Sequence, residues 1–154
     1  MFPFLYGKVL HPQGDFIVSS FFGLGMWYNS SLISESLAVK GKYREYYRLD
    51  NSSYLVSGPS VVTVYARLAV PKNEKGIHSF SIKSSLSNAH ESIHQFHRKV
   101  DSSVSSPLHP MHRYTKSAKI QFEISMGEFI LSVENESNIG DPILIRVIQK
   151  RRKN

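Results

Sequence analysis

The strongest constraint on the fold is a strict alternation of apolar and polar residues over several short segments. Residues 62–70 carry Val, Ala or Leu at every second position. A period of two recurs in residues 118–125 and 128–134, and in residues 143–148 Ile143, Ile145 and Val147 alternate with Leu144, Arg146 and Ile148. Because successive side chains of a strand point to opposite faces, a period of two indicates strands that bury one face. The chain is therefore predicted to be all-β.

Turn residues divide these segments. The pair Gly58-Pro59 is predicted to break or bend the chain, because glycine accepts positive φ and proline cannot donate to a ladder. Met126-Gly127 is predicted to be a tight turn that joins the second and third segments in a hairpin. Short strands separated by turns indicate a two-layer antiparallel β-sandwich, jelly-roll-like or immunoglobulin-like. We predict one sandwich domain over residues 1–150 and a basic tail over residues 151–154.

Residues 87–100 fit two patterns. Apolar residues recur there three and four positions apart, which is typical of an amphipathic helix capped by Ser87 or Asn88. As a strand, the same segment would place His94 and Phe96 on one face. We predict a strand because the neighbouring segments are strands, and keep the helix as the alternative.

Composition removes several classes of chemistry. A chain of 154 residues is long enough to bury roughly 70% of its unfolded surface in one domain. It has no cysteine, which excludes thiol catalysis, disulfides and thiolate zinc sites. We find no glycine-rich phosphate loop and no nucleophile elbow, and we expect no cofactor.

The first thirty residues are unusually apolar. Their longest apolar run, residues 16–28, is shorter than the ~20 residues of a membrane-spanning helix. No basic residue precedes the first apolar stretch, which argues against a signal peptide. We expect buried strands here and no transmembrane span, and the compartment stays open between the cytosol and an exported or periplasmic location.

The formal charge of +7 makes attraction to anionic partners physically reasonable. However, four of the basic residues lie in the last five positions, from Lys150 to Lys153. Short terminal runs of like charge are usually solvated. Nucleic-acid or other anion binding through this tail is therefore an alternative that we do not favour.

Six of the seven histidines lie between residues 78 and 112. His90-Glu91-Ser92-Ile93-His94 matches the His-Glu-x-x-His pattern, in which a helix presents two zinc ligands and the glutamate is the general base. His97 would lie on the same helical face. In a strand, His90 and His94 would stand roughly 13 Å apart and could not share an ion. A metal site at His90, His94 and His97 thus depends on the helical alternative.

Four residues are candidates for contact with a ligand. Tyr65 and Arg67 alternate with the apolar set of residues 62–70 and are expected to project from the outer face of that strand. Trp27 and Tyr46 are further aromatic side chains of the kind that stack on sugar rings. If another subunit covers the outer face, the same residues would anchor an interface instead.

The succession Tyr47-Arg48-Leu49, Gly58-Pro59, Val62 to Arg67 and Ile145-Arg146-Val147 resembles β-sandwich domains of uncharacterised exported bacterial proteins, over residues 43–150. That group has no agreed function, so the resemblance implies a sandwich and an exported location but no activity.

These observations favour a non-catalytic binding or assembly module that recognises a carbohydrate or a protein partner, with self-association left open. A zinc-dependent hydrolase that uses residues 90–94 is the alternative from another class. The sandwich fold itself does not choose between them.

Overall fold

The computed structural model describes residues 7–13, 34–87, 89–137 and 140–152, and these ranges form ten strands and no helix. The strands are β1 (Lys8–Leu10), β2 (Ser34–Val39), β3 (Lys42–Leu49), β4 (Asn51–Pro71), β5 (Ile77–Leu86), β6 (Ser92–Asp101), β7 (Val104–Ser105), β8 (His112–Thr115), β9 (Ala118–Asn135) and β10 (Ile143–Arg151). The prediction of an all-β fold is confirmed. Throughout the described ranges, no helix has the length and hydropathy needed to cross a bilayer.

The longest strands, β4 and β9, pair along most of their length. Their antiparallel register runs from Asn51 opposite Glu134 to Ala66 opposite Ala118. The hairpin predicted at Met126-Gly127 is therefore wrong, because the residues on both sides of it belong to the single strand β9. Both halves of β9 pair with β4, and they therefore do not fold back on each other.

A bulge interrupts the pairing of β4 with β9. Gly58 lies opposite Gly127 and Ser60 lies opposite Ile124, so one residue of β4 faces two of β9. Such an insertion bends the strands and increases their twist locally. The predicted break at Gly58-Pro59 is thus a bend within a continuous strand.

Five strands close into a barrel. β4 pairs with β9, β9 with β5, β5 with β6, β6 with β8, and β8 returns to β4, each pair antiparallel. In a closed ring with an odd number of straight strands, at least one neighbouring pair would have to be parallel. All five pairs are antiparallel here, so some strands must bend and pair with different neighbours along their length, as bulges allow. The predicted two-layer sandwich is corrected to a closed barrel with additional strands, because β8 bridges β6 and β4.

One face of β4 contributes to the main core. Val62, Val64, Ala66, Leu68 and Val70 are buried there, which confirms the alternation seen in the sequence. Side chains from β3, β5, β9 and β10 pack in the same core, as does Tyr54 from the first half of β4; the largest fully buried ones from the other strands are Phe80, Ile82, Leu131, Ile143 and Ile145. Burial of each large apolar side chain contributes about 1.5–3 kcal/mol relative to its exposure.

A second, smaller core lies on the opposite face of β4. It takes one buried residue from each of six strands: Leu37, Tyr46, Ala69, Val104, Tyr114 and Leu144. The Tyr114 hydroxyl donates a hydrogen bond to Glu35 and so links β8 to β2. β4 is therefore buried on both faces near its C-terminal end, where the sequence pattern predicted one face in solvent.

Residues 92–101 form strand β6, as preferred, and the helical alternative is excluded. β6 pairs antiparallel with β5, from Ile77 opposite Lys99 to Ser84 opposite Ser92. Even-numbered residues from His94 to Val100 point inward, and the odd-numbered ones are exposed except at the end of the strand.

The C-terminal basic residues join the sheet for part of their length. β10 continues to Arg151, beyond the domain boundary predicted at residue 150. The backbone N–H of Arg152 donates to the carbonyl of Pro59, and its guanidinium forms an ion pair with Glu123. Residues 151 and 152 are thus held against β4 and β9.

Candidate functional site

Three of the four predicted ligand-contact residues line one cavity. Tyr46, Tyr65 and Arg67 share a cavity of about 160 Å³ with Arg44 and Arg146. Val39 and Ser117 complete the lining. We refer to this cavity as the arginine–tyrosine pocket.

The pocket lies where the β2–β3 hairpin leaves the sheet. β3 pairs with β10 only from Tyr47 to Leu49, and among the described residues its earlier part pairs with β2 alone. Arg44 and Tyr46 belong to this earlier part. The pocket is lined by this part of β3, which does not pair with β10, together with β4 and β10.

Arg67 is the most buried charged group of the pocket, with a relative exposure of 7%. Its Nε donates to the Tyr46 hydroxyl at 3.2 Å, and its Nη1 donates to the Thr115 carbonyl at 3.0 Å. Asp101 Oδ2 lies 3.9 Å from Nη1. These partners stabilise a charge that would otherwise be costly to bury, and they fix the direction of the guanidinium.

Arg67 was expected on an open outer face, and that expectation is corrected. The second core covers the end of the outer face, so the side chain lies beneath β3 and β8. Tyr65, two residues earlier on the same face, stays partly exposed. The outer face of β4 is thus covered at Arg67 and partly open at Tyr65, and the pocket lies between the two.

Tyr65 lies between two cationic side chains in the sheet. Arg146 is its register partner on β10, and Lys119 is its partner on β9. Side chains of directly opposite residues in antiparallel strands share a face, with Cβ atoms about 4.5–5.5 Å apart. The phenol ring is therefore flanked by positive charge on both sides.

Arg146 is partly buried beside a like charge. Its Nη1 reaches the Glu45 carbonyl at a long 3.5 Å. Burial lowers the pKa of the guanidinium from its ordinary value, and the positive charge of Arg44 lowers it further. The pocket therefore holds more positive charge than its own residues neutralise.

Asp101 partly offsets the charge of Arg67. Ser103 Oγ donates to Asp101 Oδ1 at 2.6 Å, and this bond is the first cause of a lowered pKa of the carboxyl. The positive charges of Arg67 and Lys116 lower it too. Asp101 is thus held as a carboxylate behind Arg67.

The remaining sequence candidates lie elsewhere. Trp27 falls outside the described residues. His90 precedes β6, His94 points inward towards Ser84, and His97 is exposed and hydrogen-bonded to Ser79. The helix that the metal motif requires is replaced by β6, and in the described part of the chain no three His, Asp or Glu side chains are placed to hold a metal ion.

Sequence reasoning missed Arg44, Arg146 and Lys119 as members of the site. Arg146 and Lys119 occupy polar positions of their own strands, and only the register of β10 and β9 against β4 brings them beside Tyr65. Arg44 pairs with β2 alone, and it joins the site because it lines the same cavity as Tyr65.

No protein-family model, curated protein or solved structure matches this chain.

Proposed function

We propose that the protein is a non-catalytic binding module that holds a carbohydrate in the arginine–tyrosine pocket. The observation that carries this proposal is the convergence of Tyr46, Tyr65 and Arg67 on one cavity. A partly exposed tyrosine ring offers a flat apolar face for a sugar, while guanidinium groups donate hydrogen bonds to its oxygens.

The size of the pocket supports a carbohydrate rather than a protein partner. A volume of about 160 Å³ suits one small ring or substituent, whereas drug-sized ligands occupy roughly 300–1,000 Å³. A stable protein interface requires about 800 Å² of surface from each partner. A small cavity with fixed donors is better matched to one sugar unit of a longer chain.

The chemistry of the lining supports binding rather than hydrolysis. Glycoside hydrolysis generally uses a pair of carboxylates. Among the described residues that line the pocket there is no Asp or Glu. The lining offers donors and aromatic surface, which orient a ligand without cleaving it.

Calorimetric titration of neutral and acidic oligosaccharides against the wild type and Tyr65→Ala tests the proposal. We expect a saccharide that binds the wild type to bind the variant about tenfold more weakly, because the stacking face is lost. Tyr43→Ala is the matched control, since Tyr43 is 70% exposed and lies outside the pocket. Absence of any saccharide binding, or equal losses in both variants, would contradict the proposal.

A further inference from the structure

Three of the strands that line the pocket each contribute an arginine. Arg44 comes from β3, Arg67 from β4 and Arg146 from β10. Lys119 of β9 flanks Tyr65 from the side opposite Arg146. Three arginines thus line one small cavity, and Lys119 lies beside its tyrosine.

Negative charge balances this group only in part: the charge of Glu45 favours the charged form of Arg146, but Glu45 does not line the cavity. Asp101 lies near Arg67, and its 3.9 Å distance is long for an ion pair. Within the described ranges, no carboxylate oxygen lies within 4.0 Å of the guanidinium of Arg44 or Arg146. Like charges at close range repel each other, most strongly where burial reduces solvent screening. Binding of an anion would relieve this repulsion.

The arrangement also constrains the shape of the anion. A guanidinium presents its N–H groups as a planar fork that matches the paired oxygens of an oxyanion. Arg67 is held rigidly by Tyr46 and Thr115, so part of its ordering cost is already met before binding. Tyr65 beside the cations supplies an apolar face for the ring that carries the charged substituent.

We propose that the pocket selects an acidic saccharide, and that its arginines hold the oxyanion, a carboxylate or a sulfate, while Tyr65 stacks on the sugar ring. This inference rests on the proposed carbohydrate-binding function and adds the chemical class of the ligand.

Three probes test it by calorimetry on the full chain: an oligogalacturonate, the same oligosaccharide with its carboxylates methyl-esterified, and a sulfated galactan oligosaccharide. We expect esterification to weaken binding by about tenfold or more, because charge-assisted hydrogen bonds are lost. Binding of the sulfated probe alone would support the oxyanion site and identify sulfate as its source.

Equal binding of the acid and its ester would overturn this inference, while the carbohydrate function would stand. Failure of all three probes would overturn the inference. If neutral oligosaccharides then bound the wild type and bound Tyr65→Ala more weakly, the proposed function would survive. If they also failed to bind, both proposals would be wrong.

Substitutions separate the pocket from general attraction by a basic protein. Arg146→Gln and Arg44→Gln should each weaken binding of the acidic probe by about tenfold and leave any binding of the ester unchanged. Lys75→Gln is the matched control, because it removes the same charge from an exposed loop residue outside the pocket. Since Arg44 is exposed, its variant tests the proposal even if Arg146→Gln fails to fold. Equal weakening in all three variants would overturn the inference.

Discussion

Gly58 of β4 lies directly opposite Gly127 of β9, at the bulge where the register of the longest strand pair shifts. A Cβ atom on Gly58 would stand 1.8 Å from the carbonyl oxygen of Ser125, a contact that backbone atoms cannot accommodate without moving. Gly127 has a φ of +123°, a conformation that side-chain-bearing residues rarely adopt. Both strands therefore require glycine at the same place, and the bend of the barrel depends on this pair.

We predict that Gly58→Ala is strongly destabilising. The added methyl group must displace the backbone of β9, and overpacking of this kind costs about 1–3 kcal/mol, occasionally more. The free energy of unfolding in urea should fall by an amount at the upper end of this range.

Gly140→Ala is the control for this prediction. A Cβ there meets no atom within 4 Å, and its φ is outside the positive range. Its unfolding free energy should stay within about 0.5 kcal/mol of the wild type. Wild-type stability in Gly58→Ala would show that the two strands do not approach as closely as described.

The corner between β4 and β8 depends on a side-chain hydrogen bond. The N–H of Leu68 donates to Thr115 Oγ1 at 3.0 Å, and both residues are buried. Thr115→Val keeps the shape but leaves that N–H without its partner, at a cost of about 1–3 kcal/mol. Denaturation in urea measures the loss.

Thr63→Val is the control for this prediction, because it makes the same substitution at a longer and therefore weaker hydrogen bond. Its Oγ1 accepts from Gln121 Nε2 at 3.4 Å, and Gln121 is exposed to water. We expect a change within about 0.5 kcal/mol. If the two valine variants were equally stable, Thr115 would not close the corner.

Acid is predicted to reduce the stability of the fold through the partly buried His94. Burial lowers the pKa of His94 from its ordinary value of 6.5. As the pH falls, the histidine is therefore protonated more readily in the unfolded chain than in the folded one. This contribution to stability is present above the unfolded pKa and is lost as the pH falls from 6.5 through the lower folded pKa. Acidification from about pH 7.5 to about pH 5.5 should therefore reduce the urea midpoint.

His94→Gln should flatten this pH dependence, because the amide does not titrate and keeps polar groups near Ser84, whose Oγ lies 3.1 Å from His94 Nε2. His97→Gln, on the exposed face of the same strand, should keep the wild-type slope. A wild-type slope in the His94 variant would assign the acid sensitivity to another group.

Alternation in the sequence was sufficient to predict an all-β chain, but not the connection between strands. A glycine beside an exposed residue is compatible with both a hairpin turn and a bulge, so Met126-Gly127 gave the wrong local structure, whereas the break or bend predicted at Gly58-Pro59 is a bulge within β4. Which one forms depends on a partner strand about seventy residues away. The sandwich prediction was wrong because alternation shows that one face of a strand is buried, but not which strands pair or whether the sheet closes.

The residues of the candidate site were likewise predicted only in part. Tyr46, Tyr65 and Arg67 were selected by residue type and position, and they line one pocket. Arg67 was expected in solvent because a single strand carries no signal of what covers its second face. Arg146 was missed because its position beside Tyr65 follows from the long-range register of β10 with β4. Arg44 was missed because nothing in its own segment shows that it lines the same cavity.

The most direct test of the account is an amide chemical-shift titration of the full chain with oligogalacturonate. The account predicts saturable shifts clustered at residues 44–46, 65–67 and 146, which lie on three strands and include five residues that line the arginine–tyrosine pocket. These shifts should be absent with the methyl-esterified saccharide. Shifts confined to the C-terminal residues, or dispersed over the basic surface, would contradict a carbohydrate site in this pocket.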